Sequence, residues 1–180
     1  MRYIIDMAII DDIYANVDDF GLITSAEARA LGVSNAELVQ QARRGKLTRV
    51  ARGVYRMPVW PYQEASPYAI AVKAAGGRAY LYGESVIALL GLVPTDPTRI
   101  WVASPDRVRR SIGDNVTVLS LRREGPTEHY EGVACQPVAD AVRAAATRMG
   151  RDRAREAANA ALREGYITGR ELDALRRELA

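Results

Sequence analysis

The chain has 180 residues, 48% hydrophobic and 26% charged, with a formal net charge of +3. This composition is that of a globular protein with one domain or two small ones. No apolar run approaches the roughly 20 residues of a membrane span, and no secretory signal is present at the start, so we expect a cytoplasmic protein without membrane contact. The single cysteine, Cys135, excludes an intramolecular disulfide.

The positive charge is too small to predict polyanion binding from the whole chain, so local clustering has to be examined. All of the 25 basic residues except Lys46 and Lys73 are arginines. Such a bias can reflect genomic base composition as easily as phosphate binding. Arginine content alone therefore decides nothing.

Helical patterns occupy the first part of the chain. Apolar residues in Met7–Tyr14 recur with helical spacing, and the sequence around Phe20 and Gly21 follows the end of that helix. Thr24 and Glu27 form a capping box, in which each residue's side chain bonds to the other's backbone N–H. This capping box predicts the start of a second helix. The expected inner face of this second helix consists of Ala26, Ala30 and Leu31, and Gly32 ends it.

A second capping box follows almost at once. Ser34 and Glu37 open a third helix, which Gly45 ends. The residues expected to face inward are Leu38, Val39 and Ala42. Two short capped helices joined by a glycine-containing turn predict a helix-turn-helix.

The continuation makes this prediction more specific. Residues 47–51 and 54–57 are strand-like and flank Arg52 and Gly53, which predicts a β-hairpin with Arg52 at its tip. A hairpin in this position is the wing of a winged helix-turn-helix. We therefore predict such a module, which binds DNA, over residues 1–57.

A basic cluster lies at the end of the third helix and on the hairpin, without an intervening Asp or Glu. Its members are Arg43, Arg44, Lys46, Arg49, Arg52 and Arg56. Guanidinium groups suit phosphate oxygens and guanine edges. The alternative is a merely solvated face, and the capped helices and wing favour DNA binding over it.

Individual roles follow from residue type. Base edges are within reach of Asn35, Gln40, Gln41 and Arg44. Arg52 can enter the minor groove or contact the flanking backbone, and Arg49 and Arg56 can contact phosphates. Core positions are expected at Leu47, Val50 and Tyr55. The candidate DNA-binding residues are Asn35, Gln40, Gln41, Arg43, Arg44, Lys46, Arg49, Arg52 and Arg56.

The prolines in residues 58–67 predict an interdomain linker there. Residues 68–180 are predicted to form a C-terminal α/β domain with a small sheet and a helical C-terminus, which gives an α+β protein overall. The predicted helices cover 68–75, 84–90, 138–145, 154–162 and 172–179, the last capped by Thr168 and Glu171. The predicted strands cover 99–103, 116–121 and 132–135.

Nothing in the sequence predicts catalysis, a metal site or a cofactor. One histidine and one cysteine cannot form the usual zinc site, and residues 128–131, around His129, are interpreted as a surface loop. No serine lies in a nucleophile context that His129 could serve. Asp140, the acid among apolar helix residues, is interpreted as a hydrogen-bonded structural group.

Residues 23–57, and the wing 47–56 most specifically, resemble the N-terminal domain of AbiEi-family antitoxins. Residues 82–92, 99–103 and 133–141 are similar to the rest of that family. The resemblance implies the antitoxin of a type IV toxin-antitoxin pair, which autorepresses its operon at an inverted repeat and counters a nucleotidyltransferase-like toxin, directly or indirectly. Some proteins with this N-terminal module carry a nuclease domain, and residues 68–180 lack a Glu-Val-Asp-type nuclease core.

Two alternatives stay open from the sequence. In one, the chain is a transcription regulator whose second domain senses a small ligand. In the other, the winged fold contacts proteins and its arginines meet an acidic surface. The operator and the oligomeric state are not predicted, although binding to an inverted repeat requires two copies.

Overall fold

The computed structural model describes residues 2–95, 98–109, 111–121 and 125–180, with side chains from residue 8 onwards. Helices and strands mix in an α+β fold, as predicted. The chain divides into two compact units, Met1–Ala74 and Ala75–Ala180. Each unit is described by itself below.

The first unit begins with a helix and alternates short strands with short helices. Its elements are α1 (Arg2–Tyr14), β1 (Leu22–Thr24), α2 (Ser25–Ala30), α3 (Asn35–Arg43), β2 (Thr48–Ala51), β3 (Val54–Arg56) and α4 (Ser66–Ala75). The strands form an antiparallel sheet in the order β1-β3-β2. This order places the β2–β3 hairpin at one edge, as in a winged helix-turn-helix.

One apolar core holds these elements together. Its buried members come from α1, α2, α3 and the sheet: Ile13, Ile23, Ala28, Val33, Leu38, Leu47, Tyr55 and Met57. Leu47 and Tyr55 are core residues as predicted, whereas Val50 is half-buried. The core fixes the two helices of the motif against the hairpin.

The predicted inner face of α2 is wrong in part. Ala28 is buried, while Ala26 and Ala30 are exposed and Leu31 is half-buried against the core. Residues two positions apart point to nearly opposite sides of a helix, so Ala28 replaces both neighbours at the contact. The small methyl group there allows α2 and α3 to approach closely.

Polar contacts hold α4 and the segment before it to the rest of the first unit. The indole of Trp60 and the amide of Gln63 donate to the carbonyl oxygen of Asp19, at 3.0 and 2.6 Å. Lys73 pairs with Asp18 at 2.8 Å and with Glu27 at 3.3 Å. These contacts place α4 in the first unit, whereas the sequence assigned 68–75 to the second domain. The linker at 58–67 and the functional domain limits stay predictions.

The second unit is built on a mixed five-stranded sheet of order β6-β5-β4-β8-β7. Its strands are β4 (Tyr80–Leu81), β5 (Ile100–Ser104), β6 (Val116–Ser120), β7 (Glu128–Tyr130) and β8 (Val133–Cys135). The pairs β5/β6 and β4/β8 are parallel, and the pairs β4/β5 and β7/β8 are antiparallel. The buried thiol of Cys135 lies in this sheet, and burial raises its pKa to about 12, which makes it a poor nucleophile.

Residues 128–130 are a strand, so the predicted loop is wrong. Tyr130 pairs with Val133 across a two-residue turn in which Glu131 and Gly132 both have positive φ, at 50° and 77°. Positive φ at both positions gives the turn that suits the twist of a hairpin. His129 remains exposed on this strand.

Helices of the second unit are α5 (Glu84–Leu89), α6 (Val138–Met149), α7 (Arg151–Arg163) and α8 (Gly169–Glu178). The faces of α6 and α7 that pack together are rich in buried alanine, which permits close helix contacts. Asp140 of α6 pairs with Arg143, in agreement with its interpretation as a structural acid. None of the helices in the described ranges has the length and apolar character of a membrane span.

Candidate nucleic-acid interface

Helix α3 is fixed by its cap and by its buried face. The Ser34 hydroxyl accepts from the N–H of Glu37 at 3.3 Å, and the Glu37 carboxylate accepts from the N–H of Ser34 at 2.7 Å. The side chain of Leu38 is fully buried in the core. This anchoring leaves Asn35 and Arg44 exposed at the two ends of the helix.

One residue that the sequence analysis assigned to DNA contact, Gln41, is buried in the interior of the first unit. Gln41 is only 2% exposed, because it lies three positions after Leu38 on the same helix face. The side chain of Gln41 therefore does not reach a base edge, and this part of the prediction is wrong. Gln40, half-buried beside it, remains a candidate.

The wing is a short hairpin with a tight turn. β2 and β3 are joined by Arg52 and Gly53, and Gly53 has a φ of 74°, a conformation that glycine adopts without strain. Arg49 and Arg52 are exposed on this hairpin. The structure thus confirms the hairpin and places Arg52 at its tip.

Arg56 has a different environment from the other arginines of the cluster. It lies on β3, the central strand, and its guanidinium donates from Nη2 to the carbonyl oxygen of Trp60. Its Nε is buried and has no hydrogen-bond partner in the described part of the chain. We therefore correct its predicted role from a phosphate contact to a structural one within the first unit.

The remaining basic residues, Arg43, Arg44, Lys46, Arg49 and Arg52, form what we call the basic surface. All five are exposed. Arg43, Lys46, Arg49 and Arg52 make no ion pair with any other described residue. Because no acid in the described part of the chain pairs with these four cations, the surface can attract a polyanion over a distance of about 10 Å in moderate salt.

One residue that the sequence did not single out connects the helix and the wing. The N–H of Ser25 donates to the carbonyl oxygen of Gly53 at 2.9 Å, and its hydroxyl donates to Oδ1 of Asn35 at 3.3 Å. Its partners Gly53 and Asn35 lie 28 and 10 positions away along the chain, so no local signal could have found these contacts.

The second unit contains a cavity of about 300 Å³ lined by Glu84, Thr95, Arg148, Met149 and Arg153. The Arg148 guanidinium stacks on the ring of Trp101, 3.9 Å from its centroid. This stacking holds one positive group at the cavity. No group of three His, Cys, Asp or Glu residues within the described ranges could hold a metal ion.

A capped helix pair followed by a hairpin, on one core with a third strand, defines the winged helix-turn-helix class of DNA-binding modules. Residues 12–58 match the family model described as "Transcriptional regulator, AbiEi antitoxin". The resemblance found in the sequence is thereby confirmed for the winged module.

The matched segment contains α2, α3 and the wing, and it does not extend to residues 59–180. The description of that family, an antitoxin and transcriptional regulator, supports a DNA-binding regulatory role for the matched segment. The search of curated proteins gave no match to the chain.

Proposed function

We propose that the protein represses its own operon by binding an inverted repeat in its promoter, and that it counters a nucleotidyltransferase-like toxin in a type IV pair. The observation that carries the DNA-binding half is the exposed basic surface beside α3 and on the wing. The residues proposed to contact DNA are Asn35, Gln40, Arg43, Arg44, Lys46, Arg49 and Arg52. A cytoplasmic location is part of the proposal.

In this proposal α3 enters the major groove and the wing lies along the flanking backbone. Arg44, at the exposed end of α3, reads a base edge, and Arg52 at the wing tip contacts the minor groove or a phosphate. Two copies bind one inverted repeat because each module reads a half-site. No separate enzymatic activity is required for this function.

The test is binding to the DNA upstream of the gene, compared with a shuffled duplex at near-physiological salt. We expect a preference of about a thousandfold or more for the upstream duplex, weakened by Arg44→Ala and by Arg52→Ala. Arg163→Ala is the matched control, since it removes an exposed arginine from α7 in the second unit. Equal, weak binding to both duplexes would reject autorepression and favour a protein partner for the basic surface.

The antitoxin half is proposed to reside in residues 68–180. It is tested by co-expressing the protein with the toxin encoded beside it. The Arg44→Ala/Arg52→Ala double variant is expected to lose repression and to keep protecting the cell. Protection that survives deletion of residues 76–180, which leaves α4 in the first unit, would contradict this division of roles.

A second candidate function, a regulator that senses a small ligand, is favoured by the cavity beside Arg148 and Arg153. Two guanidinium groups suit an anion, and the volume suits a small molecule. Thermal unfolding in inorganic phosphate, citrate or AMP tests this candidate. Stabilisation that Arg148→Ala abolishes would support ligand sensing, and no stabilisation by any of the three would argue against it.

A further inference from the structure

The cavity of the second unit carries charges of both signs on its wall. Its lining consists of Glu84 at the start of α5, Thr95 after that helix, Arg148 and Met149 at the end of α6, and Arg153 in the first turn of α7. The two arginines are exposed, whereas Glu84 and Thr95 are half-buried. The cavity is therefore accessible to a small molecule from solvent.

The opposite charges of this cavity do not neutralise one another. Glu84 forms no ion pair with Arg148 or Arg153, and none of these three side chains donates or accepts a hydrogen bond within the described part of the chain. Arg143, on the same helix as Arg148, does pair with acids, Asp140 and Glu178. The carboxylate and the two guanidinium groups of the cavity thus keep their capacity to bind a ligand that carries both signs of charge.

The position of one guanidinium group is fixed in advance. Arg148 stacks on the ring of Trp101, 3.9 Å from the ring centroid. Stacking uses the face of the guanidinium, so its N–H groups, which lie in the plane, remain directed to the side. A carboxylate can accept two parallel hydrogen bonds from such a fork, and a side chain that is already held loses less entropy on binding.

Charge and size together select a class of ligand. The volume of about 300 Å³ lies at the lower end of the range for ligand pockets, which suits a molecule as small as an amino acid. Two guanidinium groups and one carboxylate leave one positive charge in excess. The complement is a molecule with two carboxylates and one ammonium group. A simple anion satisfies the arginines but is repelled by Glu84, and this repulsion disfavours it.

We infer that this cavity binds an acidic amino acid, glutamate or aspartate, whose two carboxylates meet Arg148 and Arg153 and whose ammonium group meets Glu84. The inference rests on the second candidate function proposed above, the sensing of a small ligand, and names the class of that ligand. It assigns the arginines to affinity for carboxylates. It assigns Glu84 to the choice of an amino acid over a plain dicarboxylate.

The experiment is calorimetric titration of the full chain with L-glutamate, L-aspartate and glutarate at neutral pH and constant ionic strength. Glutarate has the two carboxylates of glutamate and lacks its ammonium group. We expect one of the amino acids to bind about tenfold more tightly than glutarate, because only the amino acid meets Glu84 with a charged donor. Equal affinity for both amino acids and glutarate would overturn the inference, as would the absence of amino-acid binding at millimolar concentrations.

Variants separate the roles of the charged residues. Arg153→Ala, which removes no contact to another described side chain, should weaken glutamate and glutarate by a similar factor, about tenfold. Glu84→Gln should weaken glutamate and not glutarate, so that the preference for the amino acid disappears. Arg163→Ala, on the same helix as Arg153, is the control and should bind as the natural sequence does. A preference for glutamate that persists in Glu84→Gln would overturn the ammonium contact.

The failure of this inference can be distinguished from the failure of ligand sensing. DNA affinity is measured with and without saturating L-glutamate. Glutamate that binds through Glu84 and leaves DNA affinity unchanged supports the site and rejects sensing. Stabilisation by phosphate or citrate, without binding of either amino acid, supports an anion sensor and overturns the inference.

Discussion

The arginines of the two units differ in what surrounds them. In the second unit, several side chains form ion pairs on the surface: Arg78 with Asp106, Arg143 with Asp140 and Glu178, Arg155 with Asp152, and Arg176 with Asp173. In the first unit, four members of the basic surface have no acidic partner among the described residues. Exposed arginines without an ion pair to a described residue also occur in the second unit, for example Arg153, Arg163 and Arg170, so the first unit differs in having four such cations within residues 43–52, a segment without Asp or Glu.

The largest effect is expected from breaking the core that supports the basic surface. Leu38→Ala removes a fully buried side chain and should lower the free energy of unfolding of the first unit by about 2–5 kcal/mol. Trp60 packs against this core, so its fluorescence reports the first unit during urea unfolding, whereas Trp101 of β5 reports the second.

The matched control is Ala36→Ser, which changes an exposed residue of the same helix. We expect the midpoint of the Trp60 signal to fall and that of the Trp101 signal to change little. Equal shifts of both signals would contradict the division into two units.

Charge reversal on the wing tests the difference between the two sets of arginines directly. Arg49→Glu/Arg52→Glu should weaken DNA binding about a hundredfold and lower the slope of log affinity against log salt by roughly 0.9 for each phosphate that the variant no longer neutralises. Arg163→Glu, on the second unit, should leave both quantities almost unchanged. A similar weakening in both variants would mean that the charge of the whole chain, and not the basic surface, attracts DNA.

A smaller effect is expected at the last helix cap. The Thr168 hydroxyl accepts from the N–H of Glu171 at 3.3 Å, so Thr168→Ala should destabilise the second unit by about 1 kcal/mol. Thr127→Ala, in an exposed segment without a helix, is the control. DNA affinity should not change, and a decrease in affinity would show that the second unit takes part in binding.

The smallest expected effect is a loss of folding stability of the second unit at acidic pH. A hydrogen bond from Arg78 lowers the pKa of Asp106, the N–H of Thr168 lowers that of Glu171, and a hydrogen bond from Arg143 lowers that of Glu178. A carboxylate whose pKa is lower in the folded state stabilises that state above its unfolded pKa, near 4, and loses this contribution as the pH falls through the folded value.

The Trp101 unfolding midpoint should therefore decrease between neutral pH and about pH 3. Arg143→Ala should make this decrease shallower, because it removes the partner of Glu178. A pH dependence identical to that of the natural sequence would show that this ion pair contributes nothing in solution.

Local signals predicted the features that depend on a few neighbouring residues. The capping boxes that begin at Thr24, Ser34 and Thr168 are present as the sequence indicated, because each needs only residues three positions apart. The wing also follows from a local pattern around Gly53. The helix-turn-helix and its hairpin could therefore be predicted from the sequence alone.

Features that depend on distant residues could not be predicted in this way. Gln41 is polar, and only the packing of α3 on the core shows that it is buried. Arg56 resembles its neighbours in sequence, and the carbonyl of Trp60 gives it a separate role. The strand Tyr80–Leu81 is too short for any periodicity and exists because β5 and β8 flank it.

The two lysines of the chain lie in contrasting places, with a consequence for chemical labelling. Lys46 is exposed on the basic surface, whereas the Lys73 side chain is 18% exposed and pairs with Asp18 and Glu27. An amine-selective acetylating reagent should therefore modify Lys46 quickly and Lys73 slowly. Bound DNA should protect Lys46 while Lys73 keeps its own rate, so the chain carries a footprinting site together with an internal standard.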